Sequence, residues 1–279
     1  TIFVFLSDNG PEPTNPYNRL RNRLFLGMEY DTSIGNIGRR HSFSAIGPGW
    51  ASAAAAPLSG YKFSATEGGL RVPLIIAWPG HPQVRAGAIS NGLAHVTDIV
   101  PTLTDLAGVP GHGGSWGGRT VEPIAGRSLV PMLAGGAGSV HGDAPIGYEL
   151  SGNAALFRGD YKLVRNLPPT GDGQWRLFDI AGDPGETHDL AAAMPDRFAA
   201  MKADYAAFAK TNQVLEMPAG YTADEQINLY AWRQQGRKRA IQAGLILGGA
   251  IVALSALLWL FVRRRRARRV DQAKADVIG

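Results

Sequence analysis

The chain contains no cysteine in 279 residues. Disulfides, thiolate zinc sites and a cysteine nucleophile are therefore excluded from this stretch. It also lacks a basic surplus on its main body, although the net charge is +5. Residues 233–279 hold eleven Lys/Arg against two Asp/Glu, a net of +9, which leaves −4 on the other 232 residues. A protein that grips phosphate backbones carries its basic surplus on the folded part, so nucleic acid is not expected as a partner. No internal repeat is evident. No methionine opens the chain: Thr1 runs directly into an apolar strand, and the sequence is read as the C-terminal part of a longer protein.

What is present is apolar and rich in breakers. Hydrophobic residues make up 45% of the chain, enough for one domain with a sizeable core plus an appendage. Thirty-six Gly and 18 Pro favour a loop-rich enzyme over a helical bundle. Thr1–Leu6 is a continuous apolar run, expected as a strand buried on both faces of a sheet. Residues 11–61 have no steady period and read as a long loop region with short helices. Leu70–Trp78 reads as a second strand, ended by Pro79-Gly80. Thr97 or Asp98 can cap a helix through Ala107, with Ile99, Val100, Leu103 and Leu106 as its apolar face and Pro101 in its first turn.

From about Gly147 the texture changes to short runs, GYEL, AALFR, YKLV and WRLFD, with a hairpin turn at Gly159-Asp160. Pro195–Asn212 reads as an amphipathic helix with Phe198, Met201, Tyr205 and Phe208 on one side. Ala240–Val262 then gives 23 positions without a charge. At 1.5 Å per residue such a helix crosses the ~30 Å of a bilayer's hydrocarbon. Six arginines follow it (Arg263–Arg266, Arg268, Arg269), against Arg233, Arg237, Lys238 and Arg239 before it. The positive-inside rule puts this tail in the cytoplasm and the folded part outside. Gly244, Gly248 and Gly249 could let two such helices approach closely.

Ser7-Asp8-Asn9-Gly10 follows the first strand directly. Ligands bind at the carboxyl ends of strands in open α/β sheets. A carboxylate beside an amide oxygen suits a hard cation such as Ca²⁺ or Mg²⁺. An Asp-Asn-Gly turn explains the same residues, and spacing alone leaves both readings open. Two ligands do not complete a Ca²⁺ shell.

The segments FVFLSDNG, NIGRRHSF, APLSGYKFSATEGGLRVPLIIAWPG, HVTDIVPTLTDLAGV, GRSL and LFDIAGDPGETHDLA occur in that order. In this order they resemble the bacterial arylsulfatases of the formylglycine type, a family of the alkaline phosphatase superfamily. The resemblance covers residues 1–212, and the membrane tail is outside it. It implies an α/β fold, the C-terminal part of an alkaline-phosphatase-like sandwich, followed by a small antiparallel sheet plus helix.

It also implies hydrolysis of sulfate monoesters through a hydrated formylglycine activated on Ca²⁺. Asp8 and Asn9 match the family's metal ligands, and Lys62 stands where a lysine contacts the sulfate. The chain has no C/S-x-P/A-x-R match, so the formylglycine and further metal-binding acids are expected upstream, and the chain alone is expected to be inactive. The physical logic for Lys62 is that a fixed cation helps most where transition-state charge grows. Arg71 is read as a structural partner of Glu67, and His95 as a local hydrogen-bonding group. His188 is read as part of a structural turn, while His41 could line a substrate pocket or lie in an exposed loop.

The resulting expectation has five parts: 1–146, the C-terminal part of the catalytic α/β domain; 147–215, a small subdomain; 216–239, a linker; 240–262, a transmembrane helix; and 263–279, a basic cytoplasmic tail. It is a membrane-anchored, extracytoplasmic (periplasmic or cell-surface) arylsulfatase acting on a small sulfated substrate. The alternatives are a phosphomonoester or phosphonate monoester hydrolase on the same scaffold, or an inactive membrane-anchored remnant.

Overall fold

A computed structural model of the chain describes residues 1–18, 20–81, 84, 86–111, 113–136 and 138–278; Gly279 of the basic tail lies outside the described residues. The chain falls into two compact units, Thr1–Met217 and Pro218–Gly279.

In the first unit, β1 (Phe3–Leu6) ends at Ser7-Asp8-Asn9-Gly10. It is followed by α1 (Leu20–Glu29), α2 (Gly47–Ala55) and the single turn α3 (Glu67–Leu70), and then β2 (Leu74–Ala77). β1 and β2 pair antiparallel, with Leu6 opposite Leu74 and Phe3 opposite Ala77. Both differ from the expectation. β2 starts four residues later than the apolar run, because Leu70 closes α3 and Pro73 has no N–H to give a ladder. β1 is not buried on both faces: Phe3 is 61% and Phe5 62% exposed. Among the described residues its sheet has two strands only, and no layer covers that face.

α4 (Ile99–Leu106) is preceded by a 3₁₀ turn, Val96–Asp98. His95 caps that turn, its Nδ1 accepting from the Thr97 N–H while Asp98 accepts from the His95 N–H. Asp98 is fully buried and satisfied by the backbone N–H groups of His95 and Arg127 and by His141 Nε2 at 2.8 Å. Leu129 donates its N–H to Thr102 Oγ1, and the Ser128 hydroxyl bonds Asp105. The GRSL motif thus docks on the helix start through polar groups. The expected apolar face of α4 is only partly covered: Ile99 and Leu106 are half-buried, Val100 and Leu103 are exposed, and the buried residue is Thr102.

After the hairpin of β3 (Ser115–Trp116) and β4 (Arg119–Thr120) and the short α5 (Val130–Leu133) comes a four-stranded antiparallel meander. Its strands are β5 (Ile146–Leu150), β6 (Asn153–Arg158), β7 (Tyr161–Arg165) and β8 (Arg176–Asp179), in that order. The Gly159-Asp160 turn joins β6 and β7 as expected, with Arg158 opposite Tyr161. Both faces of this sheet are covered. Ala154, Leu156, Leu163 and Leu177 point to α6 (Pro195–Thr211), meeting Met201 and Tyr205. Ala155, Phe157, Val164 and Phe178 point the other way, onto Ala65 and Leu70. This explains the unbroken apolar run of β6, since each buried Leu or Phe contributes about 1.5–3 kcal/mol on either side.

In the second unit, α7 (Ala223–Ala231) leads through a π-helical turn into α8 (Arg237–Ile278). The segment Arg237–Arg265 of α8 is long and apolar enough to cross a membrane. The helix does not stop at Val262 but continues through the basic run.

Candidate active site

Three backbone segments meet at the end of β1. The Gly10 N–H donates to Gly69 O at 3.0 Å, the Lys62 N–H to Pro11 O at 3.1 Å, and the Gly68 N–H to Ser59 O at 2.7 Å. Such contacts leave no room for side chains. A Cβ on Gly10 would stand 1.9 Å from Gly68 O, and one on Gly69 would stand 2.1 Å from Ser64 O. The glycines of SDNG and EGG are therefore required by close backbone approach. The result brings Asp8, Asn9 and Lys62 onto two loops locked edge to edge.

Asp8 is exposed, and no hydrogen bond or ion pair to its carboxylate occurs among the described residues. Asn9 gives its amide N–H to Gly10 O at 2.9 Å, which leaves Oδ1 as the atom for a ligand. An anionic and a neutral oxygen donor fit a hard cation, which takes six or more oxygens. The pair supplies only part of such a shell: among the described residues no three His, Cys, Asp or Glu side chains gather as a metal site.

Lys62 Nζ lies 2.8 Å from Glu12 Oε2. Glu12 also accepts from the Thr14 N–H at 3.0 Å and from the Thr14 hydroxyl. Partial burial works against ionisation of Glu12, yet the hydrogen bonds from Lys62 and Thr14 outweigh it and hold its carboxyl below the usual range.

The loop that carries Lys62 is fastened from below by the four-stranded sheet. Asn153 Nδ2 donates to Phe63 O at 2.6 Å, and Asn166 Oδ1 accepts from the Ala65 N–H at 2.7 Å. Glu67 at the head of α3 meets Lys162 of β7 at 2.8 Å, and its N–H donates to Glu186 Oε2 at 2.7 Å. Lys162 also lies 3.0 Å from Glu186 Oε1. All three side chains are buried. Burial raises the Glu186 carboxyl above its usual range even though Lys162 opposes the shift. Arg71 reaches Glu67 only at 3.8 Å, so its pairing is secondary to that of Lys162.

Sequence reasoning missed Glu12, Asn153, Asn166, Lys162 and Glu186. Two carried a signal: Lys162 is a charge inside the apolar run YKLV, and Glu12 stands three residues after Asn9. Neither His41 nor His188 joins the site. His41 lies in an exposed loop, and His188 sits exposed in a turn organised by Asp183, which accepts from the N–H groups of Thr187 and His188.

Comparison with known proteins finds relatives among the sulfatases. The family model Sulfatase matches residues 1–109. An uncharacterised sulfatase of Schizosaccharomyces pombe is 36% identical over 203 residues, covering 70% of this chain and 35% of its own length. The arylsulfatase of Klebsiella aerogenes is 35% identical over 134 residues, covering 48% of this chain and 26% of its own. The chain thus spans about a quarter to a third of the length of these relatives. The crystal structure of Ps i-CgsB shares the fold, with a TM-score of 0.51 at 24% identity over 83% of this chain and 40% of that one. Residues 1–109 belong to the sulfatase family, and the likeness to a sulfatase extends over 70% of the chain.

Proposed function

We propose that the protein carrying this chain hydrolyses sulfate monoesters of the arylsulfatase type. The observation that carries this reading is the backbone lock between the SDNG and Lys62 loops, which brings Asp8, Asn9 and Lys62 onto neighbouring loops. Asp8 and Asn9 would hold a Ca²⁺ ion, or Mg²⁺ in its place, through their side-chain oxygens. A bound cation of this kind supplies Lewis-acid polarisation of a sulfate oxygen. A formylglycine, for which these 279 residues contain no motif, would supply the nucleophilic chemistry.

This chain's own contribution is electrostatic. Lys62 presents a positive charge to the sulfate and to the oxygen on which negative charge grows as the ester bond breaks. The Lys62 backbone is pinned to Pro11, and its ammonium is held 2.8 Å from Glu12 Oε2. In this reading α8 anchors the protein by a single span, the first unit lies outside the cytoplasm, and the arginine-rich end faces anionic lipid headgroups inside.

The test is hydrolysis of 4-nitrophenyl sulfate by the full-length protein. Asp8→Ala should abolish both turnover and its Ca²⁺ dependence, and Lys62→Ala should slow turnover by about 10²–10³-fold. Wild-type turnover with unchanged Ca²⁺ dependence in Asp8→Ala overturns the proposal.

A further inference from the structure

Lys62 does not face the solvent as an uncompensated cation. Glu12 Oε2 sits 2.8 Å from its Nζ, and Oε1 is tied to Thr14. Pro11 O accepts the Lys62 N–H, so backbone and side-chain contacts fix the same two segments. Both side chains stay partly open to solvent, 32% for Lys62 and 46% for Glu12, so an anion can reach the ammonium while the carboxylate remains beside it. An exposed pair of this kind adds little to stability. Its effect on a bound anion is another matter, because that depends on distance and on the charge of the anion.

We propose that Glu12 is a specificity-determining residue that sets Lys62 to accept a monoanionic sulfate ester in preference to a dianionic phosphate ester. This rests on the sulfatase reading of Lys62. A sulfate monoester carries one negative charge, whereas a phosphate monoester carries nearly two above its second pKa of ~6. Repulsion from Glu12 acts once on the first and about twice on the second. At ~6 Å and an effective dielectric between bulk water and a protein surface, each unit of charge is disfavoured by roughly tenfold. The lone Lys62 would hold the dianion better; the Lys62–Glu12 pair removes much of that advantage.

The experiment compares kcat/KM for 4-nitrophenyl sulfate and 4-nitrophenyl phosphate at pH 7.5, using the full-length protein and its Glu12→Gln variant. Glutamine keeps the shape and the acceptor for Lys62 but not the charge. The phosphate-to-sulfate ratio should rise by about tenfold, carried mainly by KM. Glu12→Asp, with its charge retained, should leave the ratio closer to that of the unmodified protein. Calorimetric affinities for inorganic sulfate and phosphate should move in the same direction. A ratio within twofold of the unmodified protein in Glu12→Gln, or one that moves toward sulfate, overturns the role of Glu12 while leaving the sulfatase reading intact. A full-length protein that hydrolyses neither ester, or whose sulfate hydrolysis is indifferent to Lys62→Ala, removes the sulfatase reading and the proposal together.

Discussion

Replacing Lys162 by methionine should destabilise the first unit by about 3–5 kcal/mol, the usual consequence of removing one member of a buried ion pair. Lys162 Nζ is 2.8 Å from Glu67 Oε1 and 3.0 Å from Glu186 Oε1, and the three side chains are 0%, 3% and 1% exposed. At an effective dielectric of ~20 each contact carries roughly 5–6 kcal/mol of Coulomb attraction. Desolvation of three charged groups consumes most of that, so the intact triad contributes little net stability. Its interruption is costly for another reason: methionine fills the space but leaves two carboxylates facing one another without a counter-charge. Burial already raises the Glu186 carboxyl against the pull of Lys162, and without the ammonium it moves further up.

The sign of the pH effect follows. A carboxyl whose folded pKa lies above its ordinary value near 4.5 favours folding at pH values below 4.5, and that contribution is lost as pH rises through the folded pKa. The deficit of Lys162→Met should therefore be large at pH 8 and smaller at pH 5. Urea unfolding of the chain in a mild detergent, followed by circular dichroism at both pH values, measures it. Lys162→Met combined with Glu186→Gln should recover part of the loss. A deficit below ~1 kcal/mol, or one that does not shrink between pH 8 and pH 5, refutes the view that this triad fastens the Lys62 loop to the sheet.

Gly69→Ala places a methyl 2.1 Å from Ser64 O and should cost about 1–3 kcal/mol, seen as a lowered Tm, with a matching fall in aryl sulfate hydrolysis by the full-length protein. Asn166→Ala strands the N–H of the fully buried Ala65 and should cost about 1–3 kcal/mol in the same assay. Burial lowers the pKa of His95 below its ordinary 6.5, opposed by Asp98 and reinforced by His141. Its neutral form is therefore the one that folding favours, and stability should fall as pH drops below about 6.5 and level off below the folded pKa, a slope that His95→Gln should flatten in urea midpoints measured from pH 7.5 to 5. Leu177→Ala empties a fully buried site between sheet and α6 and should cost about 2–5 kcal/mol in denaturant unfolding.

Much of the second half of the fold is legible in the sequence because its signals are local. The Gly159-Asp160 turn and the runs on either side of it set the β6–β7 register without outside help. The 3.6-residue spacing of Phe198, Met201, Tyr205 and Phe208 sets α6 in the same way. The first half is less legible. The apolar character of Phe3 and Phe5 implies a strand with cover on both faces, yet the described residues supply a partner strand and no second layer. The spacing of Val100 and Leu103 implies a buried stripe, whereas α4 is held by Asp98 and Thr102, polar groups whose partners are some 25–45 residues away in sequence. Periodicity records apolar pattern, and hydrogen bonds between distant loops leave no period.

The sequence alone determined the family through its ordered motifs, the apolar length of α8 and the identity of Asp8, Asn9 and Lys62 as candidates, since each is a property of residue type and order. Tertiary structure decided why the glycines of SDNG and EGG stand where they do, because only packing brings Gly10 against Gly69 and Ser59 against Gly68. It also decided that Lys62 shares its charge with Glu12, and that Glu67 is anchored by Lys162 of the sheet and by Glu186 of the loop after β8. Coulomb energy depends on distance through space, and neither separation, 50 residues in one case and 95 in the other, is visible as a distance until the chain has folded.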